Sequence, residues 1–184
     1  MEEFRTGYGR DWLDFAITLV DRYADSPRDL VATPARLREW LDEWGMGPTG
    51  AVTEDDVTQA RQLREALHGL ARATATDQAP GAGDLRVVNA ALTEEGPVRL
   101  RRAGAELTLG RPDTTREALA RLARQAADDL TGPNRPRLRT CGDDLCSGIF
   151  LDPTGRRRWC SDERCGVKAR VRAHRARKRD AGVS

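Results

Sequence analysis

Through most of the first 132 residues apolar positions recur every three to four residues, and that spacing predicts helices. In DWLDFAITLVDRYAD, Trp12, Phe15, Ala16, Leu19 and Tyr23 fall on one face, with Asp11 as a candidate N-cap and Pro27 beyond the end. Leu13, Ile17 and Val20 occupy its other side, so this helix is expected to be buried on most of its surface. TPARLREWLDEWG follows with Thr33 to cap, Pro34 at the first helical position, a stripe of Leu37, Trp40, Leu41 and Trp44, and Gly45 to end it. TEDDVTQARQLREALHGLARA predicts the longest helix, opened by Thr53 and three acidic residues and carrying Val57, Ala60, Leu63, Leu67 and Leu70 inward.

After a loop at TATDQAPGAG, a short helix is expected from Asp84 through Val88 to Leu92. PVRLRRAGAELTLG then changes period to two around Ala103 and Gly104, which predicts a small hairpin. DTTREALARLARQAADDLTGP offers a capping box from Thr114 to Glu117, a stripe of Leu119, Leu122, Ala123, Ala126 and Leu130, and a Gly-Pro stop. Residues 133–140, PNRPRLRT, have two prolines, three arginines and no apolar period, and read as a linker. The expected fold is mainly α, in the α+β sense: a helical body over residues 1–132 with one hairpin, the linker at 133–140, and a small C-terminal module over 141–184.

Charge sharpens that division. Residues 135–184 carry 14 Lys and Arg against 6 Asp and Glu, whereas the preceding residues carry 17 against 23. A basic module therefore sits on an acidic body, although the whole chain is only +2. MEEFRTGYGRDW has neither the basic nor the apolar region of a secretory signal, and no apolar run is long enough to span a bilayer. The expectation is a cytoplasmic protein without a membrane partner.

All four cysteines lie in the basic module, as CxxxxC, thirteen residues, CxxxxC: Cys141 with Cys146 and Cys160 with Cys165. In a reducing compartment two such pairs point to one tetrahedral Zn2+ held by four thiolates. Two disulfides, a zinc-releasing redox switch and an iron–sulfur cluster would draw on the same residues. GIFLD and RRRWC are expected to pair as strands across the Pro153, Thr154 and Gly155 turn, with Ser161, Asp162 and Glu163 opening a helix after them. With Ile149, Phe150, Leu151 and Trp159 as its main large apolar groups, the module needs a staple, and an all-cysteine set leaves no open position for catalysis. An independently stapled module predicts that Cys160→Ser loses zinc and melts the finger while the body stays folded.

The order of a cysteine pair, FLD, a basic turn, WCS, and CG before a basic helix resembles the CGNR zinc finger family, with Phe150, Asp152, Trp159 and Gly166 in place. GRDWLDFAITL and DLVATPARLREWLDEWG resemble the ABATE domain that commonly precedes that finger. Two dipeptides depart from the family pattern. Val167 and Lys168 stand where the family name spells Asn-Arg, and Ile17 and Thr18 stand where Asn-Thr is usual. The resemblance implies a transcriptional regulator whose body senses a small-molecule effector or forms a homodimer.

Behind Cys165, GVKARVRAHRARKR predicts a helix with a narrow stripe of Val167, Val171 and His174 docked on the finger. Lys168, Arg170, Arg172, Arg175, Arg177, Lys178 and Arg179 would then face solvent, joined by Arg156, Arg157 and Arg158 from the turn. So dense and one-signed a surface is the footprint of a nucleic-acid binder, and without an aromatic-rich strand motif double-stranded DNA is expected ahead of RNA. The alternative is a non-catalytic protein–protein interaction module with a small-ligand-binding body. His68 reads as a helix residue, Asp55, Asp56, Asp128 and Asp129 as helix-end acids, Trp40, Trp44 and Trp159 as packing residues, and no catalytic motif is present.

Overall fold

The computed structural model describes residues 3–181, with residues 176 and 179–181 as backbone only. The element order is α1 (Asp11–Ala16), β1 (Leu19–Val20), β2 (Arg28–Asp29), α2 (Pro34–Glu43), α3 (Glu54–Ala75), α4 (Ala82–Leu92), β3 (Leu100–Ala103), β4 (Glu106–Leu109), α5 (Thr115–Thr131), a 3-10 turn (Arg135–Arg137), β5 (Leu138–Thr140), β6 (Ile149–Leu151), a π-type turn (Asp162–Gly166) and α6 (Val167–Ala181). Among the described residues the strands form three antiparallel pairs, β1 with β2, β3 with β4 and β5 with β6. The fold is mainly α with small hairpins.

Capping explains the starts of α2, α3 and α5, whereas α1 and α4 begin without a side-chain cap and Asp11, the expected N-cap, is the first residue inside α1. Thr33 Oγ1 accepts from Arg36 N, and Gly45 takes a left-handed φ of 68° just past α2. Thr53 and Asp56 exchange side-chain and backbone bonds in a full capping box at α3. At α5 the box is shifted by one residue: Thr114 Oγ1 accepts from Glu117 N, but the Glu117 carboxylate reaches back to Asp113 N. Central to the fold is α3, which packs on α1, α2, α4 and α5 and also on β5 and β6. Its inward stripe of Val57, Ala60, Leu63, Leu67 and Leu70 is buried as the pattern predicted.

The first helix is shorter than its periodicity predicts. It ends at Ala16, and Ile17 to Val20 turn into β1. Three of those four residues are β-branched and favour extended backbone, Thr18 Oγ1 donates back to Phe15 O at 2.8 Å, and Asp21 adopts a left-handed φ of 53°. Partner strand β2 is drawn to the same place because Asp29 accepts from buried Arg64 at 2.6 Å and from Arg61 at 2.8 Å. Burial pushes the Asp29 carboxyl up, yet the bonds and charge of Arg64, with the Val31 amide and Arg61, together outweigh it and hold the group below the usual range. Tyr23, expected on the buried face, is half exposed.

The linker expectation at 133–140 also changes. These residues hold a 3-10 turn and β5, whose Leu138 is fully buried. Strand β6 pairs with β5, in the register Leu138↔Leu151, Arg139↔Phe150 and Thr140↔Ile149, and not with RRRWC. One hydrophobic cluster therefore includes Leu138, Ile149, Phe150 and Leu151 together with Trp12, Leu67 and Trp40.

Candidate metal centre and basic helix

Two knuckles bring the cysteines together. The first runs from the end of β5 to the start of β6: Cys141 N donates to Gly148 O at 2.8 Å, while Asp143 closes the turn through its carbonyl to Cys146 N at 2.8 Å and its carboxylate to Leu145 N at 3.2 Å. The second begins at Cys160 and is capped by Ser161, whose Oγ accepts from Arg164 N and whose carbonyl accepts from Cys165 N and Gly166 N.

Cys146, Cys160 and Cys165 have their Sγ atoms 3.6 Å apart pairwise, and all four sulfurs lie within 4.8 Å of one another with no disulfide. Thiolates about 2.3 Å from a central zinc would be about 3.8 Å apart in a regular tetrahedron, so the set fits one Zn2+. Backbone amides turn toward the sulfurs, Gly148 N to Cys146 at 3.3 Å and Cys160 N to Cys141 at 3.5 Å, as the outer shell of a metal–thiolate centre does. Gly148 is required here, since a Cβ on it would stand 2.7 Å from Cys160 Sγ and 3.2 Å from Cys146 Sγ. Thiols packed this closely oppose one another's ionisation, and contact with Cys141 pushes the Cys146 thiol up. A divalent cation is what lets all four ionise together.

The metal centre is built against the body. His68, expected only as a helix residue, is buried in α3 and its Nε2 lies 2.9 Å from Ser147 O in the first knuckle. Desolvation, with Arg22 adding to it, lowers its pKa to about 4, so the ring is neutral and Nε2–H donates. Tyr8 is 1% exposed beside Cys160, and its carbonyl accepts from Leu151 N at 2.9 Å. Burial raises its phenol to a pKa well above the usual value. Asp129, expected as a helix-end acid, is a buried hub that accepts from Trp12 Nε1 at 2.7 Å, Asn134 Nδ2 at 2.6 Å and Arg10 Nε at 3.1 Å.

The predicted basic residues divide into two groups. Arg157 is committed inward: its guanidinium donates to Trp159 O, Gly7 O and Cys160 O and lies over the Phe150 ring at 4.6 Å. Arg172 holds buried Asp143 at 2.6 Å and Arg170 forks onto Asp162 at 3.0 and 3.2 Å, so these two tie α6 to the knuckles. Arg158 and Arg170 flank the half-buried Trp159 ring. Arg156, Lys168, Arg175, Arg177 and Lys178 are exposed, whereas the Arg179 side chain lies outside the described residues. The expected docking stripe does not dock: Val167 and Val171 are 44% and 42% exposed and His174 is exposed. Arg172 on the buried Asp143 carboxylate, a pair the apolar period could not reveal, ties α6 to the first knuckle instead, with the solvated Arg170–Asp162 pair adding little.

A helical body joined to a four-cysteine centre and a basic helix defines a zinc-finger protein. Residues 9–133 match the ABATE family model, described as a putative stress-induced transcription regulator, and residues 137–178 match the CGNR zinc finger model. The chain belongs to the ABATE family, with a CGNR zinc finger behind the ABATE domain. Neither description is that of an enzyme. No curated protein matches the chain. Among the described residues no helix is long and apolar enough to cross a membrane.

Proposed function

We propose that this protein is a cytoplasmic DNA-binding transcriptional regulator in which zinc holds the finger, α6 contacts double-stranded DNA, and the body senses a small effector or dimerises. The observation that carries the reading is α6 itself. It projects from the second knuckle, is tied to the finger by Arg170 and Arg172, and leaves Arg175, Arg177 and Lys178 exposed with no ion pair among the described residues, while exposed Lys168 lies in the field of Asp21. Cations left unpaired on a rigidly based helix suit phosphate, where each contact releases condensed counterions. The four-thiolate donor set leaves zinc no open position, so its role is structural.

The exposed Val167 and Val171 favour a second reading, in which α6 lies in the groove of an acidic protein partner. Selection of genomic fragments by the zinc-loaded protein at two salt concentrations, with Cys160→Ser as control, separates the two. A shared, zinc-dependent site supports the regulator. Failure to retain duplex DNA at low salt overturns it and leaves the protein partner.

A further inference from the structure

A groove of about 290 Å3 opens on the body between the C-terminal half of α3, α4 and the end of α5. Its floor is apolar, made by Leu70, Leu85, Val88, Leu92 and Leu130, and Leu85 is 41% exposed there. On the rim Gln78 and Asn89 make no side-chain hydrogen bond among the described residues. The single charged lining residue is Arg135, on the 3-10 turn that runs straight into β5 of the finger.

Arg135 is held loosely. Its partner is Asp77 of the α3–α4 loop at 3.9 Å, with side-chain exposures of 58% and 99%. A solvated pair of that length contributes little, so an incoming anion can displace Asp77 at small cost. An apolar slot near the size of small-ligand sites, with one cation at its mouth and two idle amides, selects an apolar body with an anionic head.

We propose that this groove binds a small monocarboxylic acid with a hydrocarbon or aromatic body, its carboxylate on Arg135 and its tail on Val88, Leu92 and Leu130. The proposal rests on the reading of the body as a sensing half, and names the chemistry sensed. Octanoate is a suitable probe, with octanol and octylamine as matched neutral and cationic controls.

Calorimetric titration of the full zinc-loaded chain is expected to show octanoate binding at least about tenfold tighter than octanol, with octylamine weaker still. Arg135→Gln should remove the advantage over octanol, and Leu85→Glu should weaken octanoate selectively by placing a like charge beside it. Equal binding of acid and alcohol, no binding of octanoate below its micellar range, or insensitivity to both variants overturns the proposal. DNA retention measured on the same samples keeps the two readings apart. Lost DNA retention with octanoate binding intact removes the DNA role alone, and the converse removes only the ligand.

Discussion

Gly148 and His68 show how much of the metal centre depends on single positions outside the donor set. Gly148→Ala places a methyl 2.7 Å from Cys160 Sγ and 3.2 Å from Cys146 Sγ, so the tetrahedron cannot close around its ion. Zinc affinity, read by competition with a chromogenic chelator, is expected to fall at least about tenfold, in line with other losses around a metal site. His68 makes the finger's seat pH-sensitive. Its folded pKa of about 4 lies below the ordinary 6.5, so the native state binds fewer protons than the unfolded chain. Its contribution is complete above 6.5, declines as pH falls through the window, and is lost below about 4. Between those limits the difference amounts to about 3 kcal/mol, from 1.36 kcal/mol per pKa unit. Urea midpoints from pH 7.5 to 4.5 should converge for wild type and His68→Gln as pH falls, because both lose thiolate–zinc bonding but only wild type must charge a buried imidazole. Parallel curves would refute this role. The cysteines were legible in the sequence because their spacing states their chemistry. Gly148, His68 and Asp143 were not, because nothing local marks a glycine pressed against sulfur, or a histidine whose partner carbonyl is 79 positions away.

Among the elements, α6 separates residues that hold the finger from residues free to bind. Lys168, Arg175, Arg177 and Lys178 are exposed; the last three make no ion pair among the described residues, and Lys168 lies only in the field of Asp21. Replacing all four by Gln should leave the melting temperature nearly unchanged and reduce the salt dependence of DNA affinity by about 3–4 in logarithmic slope, at about 0.9 per phosphate contact. Arg157→Ala should do the reverse. Three backbone carbonyls and the Phe150 face lose their donor, which is expected to cost about 2–4 kcal/mol in thermal or urea unfolding. Lysine should not restore this, because it lacks the planar fork. Charge density located the basic element correctly but could not sort its members. Sorting depends on where Asp143, Asp162 and three carbonyls end up. Helices α2, α3 and α5 were readable from caps and period together. The overlong first helix was not, because Arg64 and Arg61 drawing Asp29 to α3 is a tertiary effect that overrides a local period.

Across the whole molecule the finger and the ABATE body share one core, and that changes what zinc does. An independently stapled finger would melt alone when its metal is removed. Here Leu138, Ile149, Phe150 and Leu151 pack in the same cluster as Trp12, Leu67 and Trp40, α3 meets both β5 and β6, and Tyr8 and His68 bond into the finger backbone. Metal loss uncouples four sulfurs at the base of that cluster and withdraws support from α3. Chelation, or Cys160→Ser, should therefore lower the stability of the whole chain and leave a single unfolding transition. Hydrogen exchange should show α3 amides near Leu67 and His68 losing protection with those of β5 and β6, while amides at the capped start of α3 lose less. Two separate transitions, with α3 protection untouched by chelation, would restore the picture of a detachable finger. Residues 136–140, in the 3-10 turn and β5, run from Arg135 at the groove to Cys141 at the metal centre, so a structured route joins the two. A free linker at 133–140 would have broken that route.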